Sequence, residues 1–543
     1  MKIYGIYLAY PPLVDLRAEG LGRLLAEFLK AANRRGDVRF VIACPSWSRK
    51  NLQQLFEDAG IPPEGFDVIG PEKKPVLLGL YDFYRRFKDR KREKRSSRLF
   101  ERIKNLFEAT RTKAERTLAT TRSSVILTVL VIATLPFTLI AAVVYFVWVS
   151  LSLFKTLLGK FRFRSARLRK VRSALARMTE DLPTASGKWR VFQFMENGEA
   201  KLISDYANKR KEIRAWYSPA AFWPQFNDIE APRLVCVPDV VLTNFPISFS
   251  STGGNRFLEV FRSVEKTVEG ADHFVTYSDD VKYATLVHRY QVDPGIVSVV
   301  RHGANRLDEL ISVSGHSESS DIQDALCENL FRGTLHKAIG NPGAVNLYNG
   351  GIRFIFYASQ FRPNKNIVSL LRAYEYLLKR KYIGHKLVLT GNPRDIPEVA
   401  RFIKDHNLQN DVLCLHGLSA RELAACYRLA DLAVNPSLSE GGCPFTLTEA
   451  LSVGTPVVMA KIAVTEEVVT DPDMQDLMLF DPYDCKAMAD KIEWALQNKD
   501  ALLERQLPLY NKLAERTWQD VVDEHVAILD RISSEPSRES SRQ

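Results

Sequence analysis

The part of the chain that most restricts its fold runs from Arg353 to Gln497, where short apolar runs alternate with amphipathic stretches of helical period. RFIFYA (353–358), KLVLT (386–390), LAVNP (432–436) and PVVMA (456–460) are β-branched and aromatic runs of strand length, which predicts strands. Between and after them, 367–378, 420–430, 446–453 and 485–497 carry apolar residues three and four apart, which predicts helices. Strands apolar throughout and separated by helices build a parallel sheet covered on both faces, so this half is expected to be a doubly wound α/β domain. The first half shows the same grammar, interrupted. Strand 2–10, helix 22–33 and strand 38–44 open it; strands at 190–194, 233–241, 273–278 and 296–300 and a helix near 280–290 complete it.

The interruption holds the one long apolar stretch, VILTVLVIATLPFTLIAAVVYFVWVSLSLF (125–154). Fifteen Lys and Arg against five Asp and Glu lie between Arg85 and Arg122, and nine against none between Lys155 and Arg177. These arms together carry +19 and leave −8 for the rest of a chain whose total is +11. Positive charge that flanks an apolar segment on both sides reads as attraction to anionic lipid headgroups on the cytoplasmic face. No aromatic-interleaved basic groove accompanies it, so nucleic acid is not an expected partner. Thirty residues exceed the roughly twenty that span a bilayer core. Pro136 falls inside the stretch and breaks a helix there. Because the same domain continues on either side, a re-entrant or in-plane hairpin is preferred to a single tilted crossing. The seven cysteines, at 44, 236, 327, 414, 426, 443 and 485, form no CxxC pair and no metal-ligand spacing, which points to a reducing compartment and neither disulfides nor a structural zinc. The N-terminus MKIYGIYLAYPP has the shape of a first strand rather than a signal peptide.

Three stretches of the second half, FYASQFRPNKNIVSLLRAYEYL (356–377), LCLHGLSARELAACYRLADLAVNPSLSEG (413–441) and GCPFTLTEALSVGTPVV (442–458), resemble in order and spacing the family 4 retaining glycosyltransferases of the GT-B fold. AEGLGRLLAEFLKAA (18–32) and VSVVRHGAN (297–305) look like that family's N-terminal glycine loop and interdomain edge. The resemblance implies two Rossmann-like doubly wound domains facing a cleft, with the hydrophobic helical membrane insertion in the first. On that plan the chain divides into a first domain in two parts, 1–75 and 186–312, around a basic insertion, 76–185. A linker (313–351), a nucleotide-sugar-binding domain (352–505), a C-terminal helix bracing the first domain (506–532, with Trp518 on its apolar face) and a disordered tail (533–543) follow.

A nucleotide-sugar donor becomes more negative at its diphosphate as the glycosidic bond breaks, so the site needs fixed cations or a metal. Arg362 and Lys365 follow a strand end, where ligands of open α/β sheets bind, and by resemblance they hold the diphosphate. The family spaces this pair five apart rather than three, and Gln360 stands at the usual arginine position, which makes Lys365 the firmer assignment. Two charges on a solvated loop would look the same. The loop Glu440, Gly441, Gly442, Cys443, Pro444, Phe445, Thr446 leads into a helix whose N-terminus offers free N–H groups. The resemblance puts Glu440 at the donor sugar and Glu449 at the ribose, with eight residues between them instead of seven. Thr446 and Glu449 also form T-x-x-E, a capping box that needs no ligand. Cys443 is read as a small loop residue. Gly20 and Gly22 would admit a diphosphate or acceptor to their helix; a tight strand-to-helix turn explains them almost equally well. Asp239 and His302 are possible cleft contacts, with Pro238 standing where many relatives carry histidine. No metal and no cofactor is expected.

The activity implied is retaining transfer of a hexose, with mannose from GDP-mannose suggested by resemblance, to a lipid-linked saccharide acceptor. It would take place at the cytoplasmic face of the membrane, the inner membrane if bacterial, as in polysaccharide or glycolipid biosynthesis. A glycolipid synthase acting on a phospholipid or diacylglycerol, and a non-catalytic membrane-associated scaffold, are the alternatives.

Overall fold

The structure, a computed structural model, describes residues 1–535 apart from 13, 15–19, 63–65, 80–127, 129–183, 240, 254, 314, 316–319 and 339–351. Both basic arms and, but for Thr128, the apolar segment 125–154 fall outside those residues, as do the Gly/Asn/Pro stretch 340–351 and the tail from 536. Among the described residues no helix is long and apolar enough to cross a membrane.

Two parallel sheets form the frame. The first contains β1 (Lys2–Tyr7), β2 (Val38–Ala43), β3 (Asp67–Ile69), β4 (Trp216–Ser218), β5 (Arg233–Cys236), β6 (His273–Thr276) and β7 (Val297–Val299), in the order 3-2-1-4-5-6-7. The second contains β8 (Phe354–Tyr357), β9 (Lys386–Leu389), β10 (Val412–Cys414), β11 (Leu432–Asn435), β12 (Val457–Ala460) and β13 (Leu479–Phe480), in the order 10-9-8-11-12-13. Both are doubly wound. The order reverses between β1 and β4 in one sheet and between β8 and β11 in the other, and ligands of such sheets bind outside the carboxyl ends of the strands at that reversal.

Close packing at the first reversal depends on Gly5. It pairs with Trp216 across β1 and β4, and a β-carbon at position 5 would lie 2.2 Å from the fully buried indole. Neither neighbour can yield in a filled core. Gly5→Ala is therefore expected to destabilise the protein by about 1–3 kcal/mol, read as a lower urea midpoint with unchanged slope.

Three expectations are corrected. Residues 190–194 are not a strand but part of the helix Thr184–Asn208. Apolar Phe192, Met195, Ala200 and Ile203 recur at helical spacing, and buried Glu199 accepts the Ser46 N–H at 3.0 Å. The stretch 313–351 is not all linker: helix Ser320–Leu335 buries Cys327, Phe331 and Leu335, one turn apart, in the second core. The C-terminal helix is two helices, Lys499–Ala514 and Trp518–Ser534. Thr517 and Asp520 form a reciprocal capping box that starts the second one. That second helix crosses back to the first domain, where Val521, Val522, Val526, Leu529 and Ile532 join its core. Asp530 accepts from Lys2 Nζ at 2.7 Å and from the Tyr4 hydroxyl at 2.6 Å.

Candidate functional site

The carboxyl ends of β8 and β11 deliver the central pair. After β8 the chain makes a single turn, Pro363–Lys365, and reaches Asn366 in the left-handed region at φ 54°, a conformation asparagine tolerates better than most residues. After β11 it runs through Ser437 to Glu440. The two loops are sewn together: Leu438 N–H donates to the Asn364 carbonyl at 2.8 Å, and Tyr357 and Ser437 hydroxyls lie 3.1 Å apart. In consequence Lys365 Nζ lies 2.7 Å from Glu440 Oε1. Burial pulls the Lys365 ammonium down, but Glu440, Tyr357 and Asp239 together outweigh it and hold the group above its ordinary range. Lys365 is therefore a fixed cation at the sheet's reversal point.

The first domain closes over this pair. Asp239, on the loop after β5, feels Lys365, Glu440 and Arg362; burial raises its carboxyl above the usual range even against the pull of Lys365. A β-carbon on Gly441 would lie 1.8 Å from the Pro238 carbonyl oxygen, and one on Gly442 would lie 2.7 Å from the Tyr277 Cβ and 3.0 Å from His302 Nε2. Glycine is what lets this loop reach the opposite domain. Ser278 Oγ donates to the Gly441 carbonyl at 3.0 Å. Cys443 is no nucleophile: burial, with Glu440 adding to it, pushes its thiol up to about 12. Arg362 is exposed and donates to Gln360 Oε1 at 3.3 Å, so the structure does not bring it onto Glu440 as it does Lys365.

Helix Phe445–Ser452 begins after Pro444, and Thr446 lies inside it. The T-x-x-E capping box does not form, because the Glu449 carboxylate is engaged elsewhere. It is 1% exposed, and its Oε1 accepts from Arg23 Nη1 at 2.6 Å and from Asn305 Nδ2 at 3.2 Å. Sequence reasoning missed both partners. Arg23 follows Gly20 and Gly22 in the first turn of helix Gly20–Asn33, and Asn305 ends the RHGAN segment. His302 sits in an aromatic box, 4.3 Å from the Tyr277 ring centroid and 5.1 Å from that of Phe445, with both ring nitrogens buried and unbonded. Burial lowers its imidazole to about 4, so it is neutral at pH 7. On the far side of the cleft Glu467 accepts the N–H groups of Asp279 and Asp280 at 3.0–3.3 Å and Arg301 Nη2 at 2.8 Å. Among the described residues no cluster of three or more His, Cys, Asp or Glu is placed to hold a metal ion.

The chain is similar in sequence and in fold to several known proteins. Residues 344–517 match the family described as glycosyl transferases group 1. MMP alpha-(1->4)-mannosyltransferase of Mycolicibacterium hassiacum is 29% identical over 42% of this chain and 56% of its own length. O-antigen chain mannosyltransferase B of Escherichia coli is 29% identical over 27% of this chain and 37% of its own. O-antigen chain mannosyltransferase RfbU of Salmonella typhimurium is 26% identical over 50% of this chain and 62% of its own. In each case the chain spans less than two thirds of the relative. Among solved structures, Anabaena HepE, crystallised with UDP and glucose, superposes with a TM-score of 0.52 at 12% identity over 98% of this chain and 100% of its own. The N-terminal domain of Candida albicans trehalose-6-phosphate phosphatase gives 0.52 at 12% identity, over 98% and 97%. The shared fold is the two-domain GT-B type.

Proposed function

We propose, from the match of residues 344–517 to glycosyl transferases group 1, that the protein transfers a hexose, mannose, from a nucleotide diphosphate sugar to a lipid-linked saccharide, with retention of anomeric configuration. The observation that carries the reading is the Lys365–Glu440 pair, 2.7 Å apart at the reversal point of the second sheet. A donor diphosphate placed there meets the ammonium of Lys365, with Arg362 at the rim. Glu440, released from Lys365, accepts from the sugar hydroxyls, and Glu449 accepts from the ribose. The acceptor oxygen attacks C1 on the face the diphosphate leaves, the C1–O bond to phosphate breaks, and the acceptor proton passes to the departing phosphate oxygen. Lys365 neutralises the charge that builds there, so no metal and no separate base is required. Closure of Gly441 and Gly442 on the first domain keeps out the water that would otherwise hydrolyse the donor.

Mannose is supported by the names of the three relatives. A lipid-linked acceptor at the cytoplasmic membrane face is supported by the apolar segment 125–154 between two basic arms.

Calorimetric titration of UDP and of GDP into the detergent-purified chain tests the reading, with and without EDTA. Micromolar binding of one nucleotide, unchanged by the chelator, is expected, together with transfer of labelled mannose from the matching donor. Binding of neither nucleotide would overturn it in favour of a non-catalytic scaffold.

A further inference from the structure

Glu449 and Arg23 pose a problem of charge. Glu449 is a buried carboxylate, and a carboxylate at that depth needs hydrogen-bonded, oppositely charged company. It has it from the other domain, across the cleft. Arg23 is the fourth residue of helix Gly20–Asn33, whose first turn contains no acidic residue. A cation there opposes the helix dipole and calls for an anion. Arg23 is still 37% exposed, lies over the Phe445 ring at 5.6 Å, and among the described residues hydrogen-bonds through a single nitrogen, to Glu449 alone. A guanidinium has five N–H groups. Most of its capacity is therefore not taken up by the described residues.

The pair is not needed to hold the domains together. Glu467 already clasps them on the far side, through two backbone N–H groups and Arg301, which also bonds Asp279. Arg23 differs in its partner: it is bonded to the carboxylate proposed to receive the ribose.

We infer that Arg23 is an internal stand-in for the donor: its guanidinium occupies Glu449 while the cleft is empty, and it moves to the donor diphosphate when the ribose hydroxyls take Glu449. The inference rests on the proposed role of Glu449. The exchange keeps both charges paired in both states. The carboxylate passes from guanidinium to ribose hydroxyls and Asn305, and the guanidinium passes from one carboxylate to a more highly charged anion in which its planar fork finds two oxygens. It makes the nucleoside and diphosphate parts of the donor cooperative. A nucleoside alone must displace Arg23 and gives it nothing in return, whereas a nucleoside diphosphate supplies the replacement.

The test compares guanosine with GDP and uridine with UDP on wild type, Arg23→Met and Arg23→Lys, all in the full chain. Methionine keeps the length of the stem over Phe445 and removes the charge. Arg23→Met is expected to bind the nucleoside about tenfold tighter and the diphosphate about tenfold weaker than wild type, with Arg23→Lys largely restoring the wild-type ratio. Equal weakening of both ligands, or no change in either, would mean that Arg23 only supports Glu449, and the inference fails. Wild type that binds neither pair would instead remove the proposed function itself. A structure of wild type with GDP or UDP decides the matter without a variant. Arg23 Nη1 must have left Glu449 Oε1; persistence of that 2.6 Å contact beside bound nucleotide refutes the exchange.

Discussion

Lys365→Ala is expected to lower the turnover of mannose transfer by about 10²–10³-fold, the loss usual when one preorganised donor to a developing anion is removed. Nucleotide affinity should fall less, because charge on the leaving diphosphate grows as the glycosidic bond breaks and the ammonium interacts most strongly in the transition state. The size of the effect follows from what remains. Without Lys365 the cleft presents the carboxylates of Glu440 and Asp239, already close enough to influence one another, to a diphosphate of the same sign. Arg362 is exposed and donates to Gln360, so it is not held against Glu440 as Lys365 is.

A purely structural ion pair would explain the same 2.7 Å contact, and the double variant Lys365→Met with Glu440→Gln separates the two. It removes both charges, so a structural role predicts recovery of turnover toward wild type. The catalytic role predicts none, since the cation is missing whether or not its partner is. Initial rates with labelled donor at saturation give the answer. A single variant within about threefold of wild type, against the 10²–10³ expected of a transition-state donor, would sink the assignment.

What the sequence made legible, and what it did not, divides along the distance between interacting residues. Strands of the second domain stand out as buried apolar runs: Phe354–Tyr357, Lys386–Leu389, Leu432–Asn435 and Val457–Ala460 all fall inside predicted segments. Four strands of two or three residues, Asp67–Ile69, Trp216–Ser218, Val412–Cys414 and Leu479–Phe480, are too short to stand out, whereas Val297–Val299 falls inside the predicted segment 296–300. The apolar cluster 191–195 was misleading because Val191, Phe192, Phe194 and Met195 satisfy strand and helix alike until Ala200 and Ile203 are counted with them. In the site, Lys365 and Glu440 could be singled out one by one, each from a strand end, while their contact is a product of the sheet's strand order. Glu449 is the instructive failure. Local sequence offers it a threonine three residues away, yet its actual partner is Arg23, 426 residues earlier in the chain. No spacing rule reaches that far, and a charged tertiary contact outweighs a neutral cap at a buried carboxylate.

The joint between the domains and the first domain's core beside it should make the protein acid-sensitive in a window set by two histidines. His302 is enclosed by Tyr277, Phe445 and Trp518. His525, from the helix that crosses back, lies edge-on to Phe28 and Tyr217, with Nδ1 2.7 Å from the Val521 carbonyl and Nε2 unbonded. Burial, with the positive charge of Arg516 adding to it, lowers both imidazoles to about 4. Above pH ~6.5, the ordinary histidine value, folded and unfolded chains both hold these rings neutral and the stability they allow is complete. Between 6.5 and 4 only the unfolded chain takes up the protons, so stability falls with pH, by about 2 kcal/mol per histidine on reaching pH 5. Glu27 and Asp280, whose carboxyls burial raises, act in the opposite sense, whereas Asp431, held well below the usual carboxylate range by His385, Lys499 and Arg353 against the effect of burial, contributes only at lower pH. Urea unfolding at pH 7 and pH 5 should therefore show a loss that His525→Leu reduces by about half, the share of one of two similar protons. A wild-type free energy that stays flat between those pH values would show that the rings find water or partners in solution. If the loss is found, the share of His302 originates at the joint, where Arg516 donates to the Arg301 carbonyl and the Gly303 backbone meets Trp518, and the share of His525 originates in the first domain's core, against Phe28 and Tyr217 of β4.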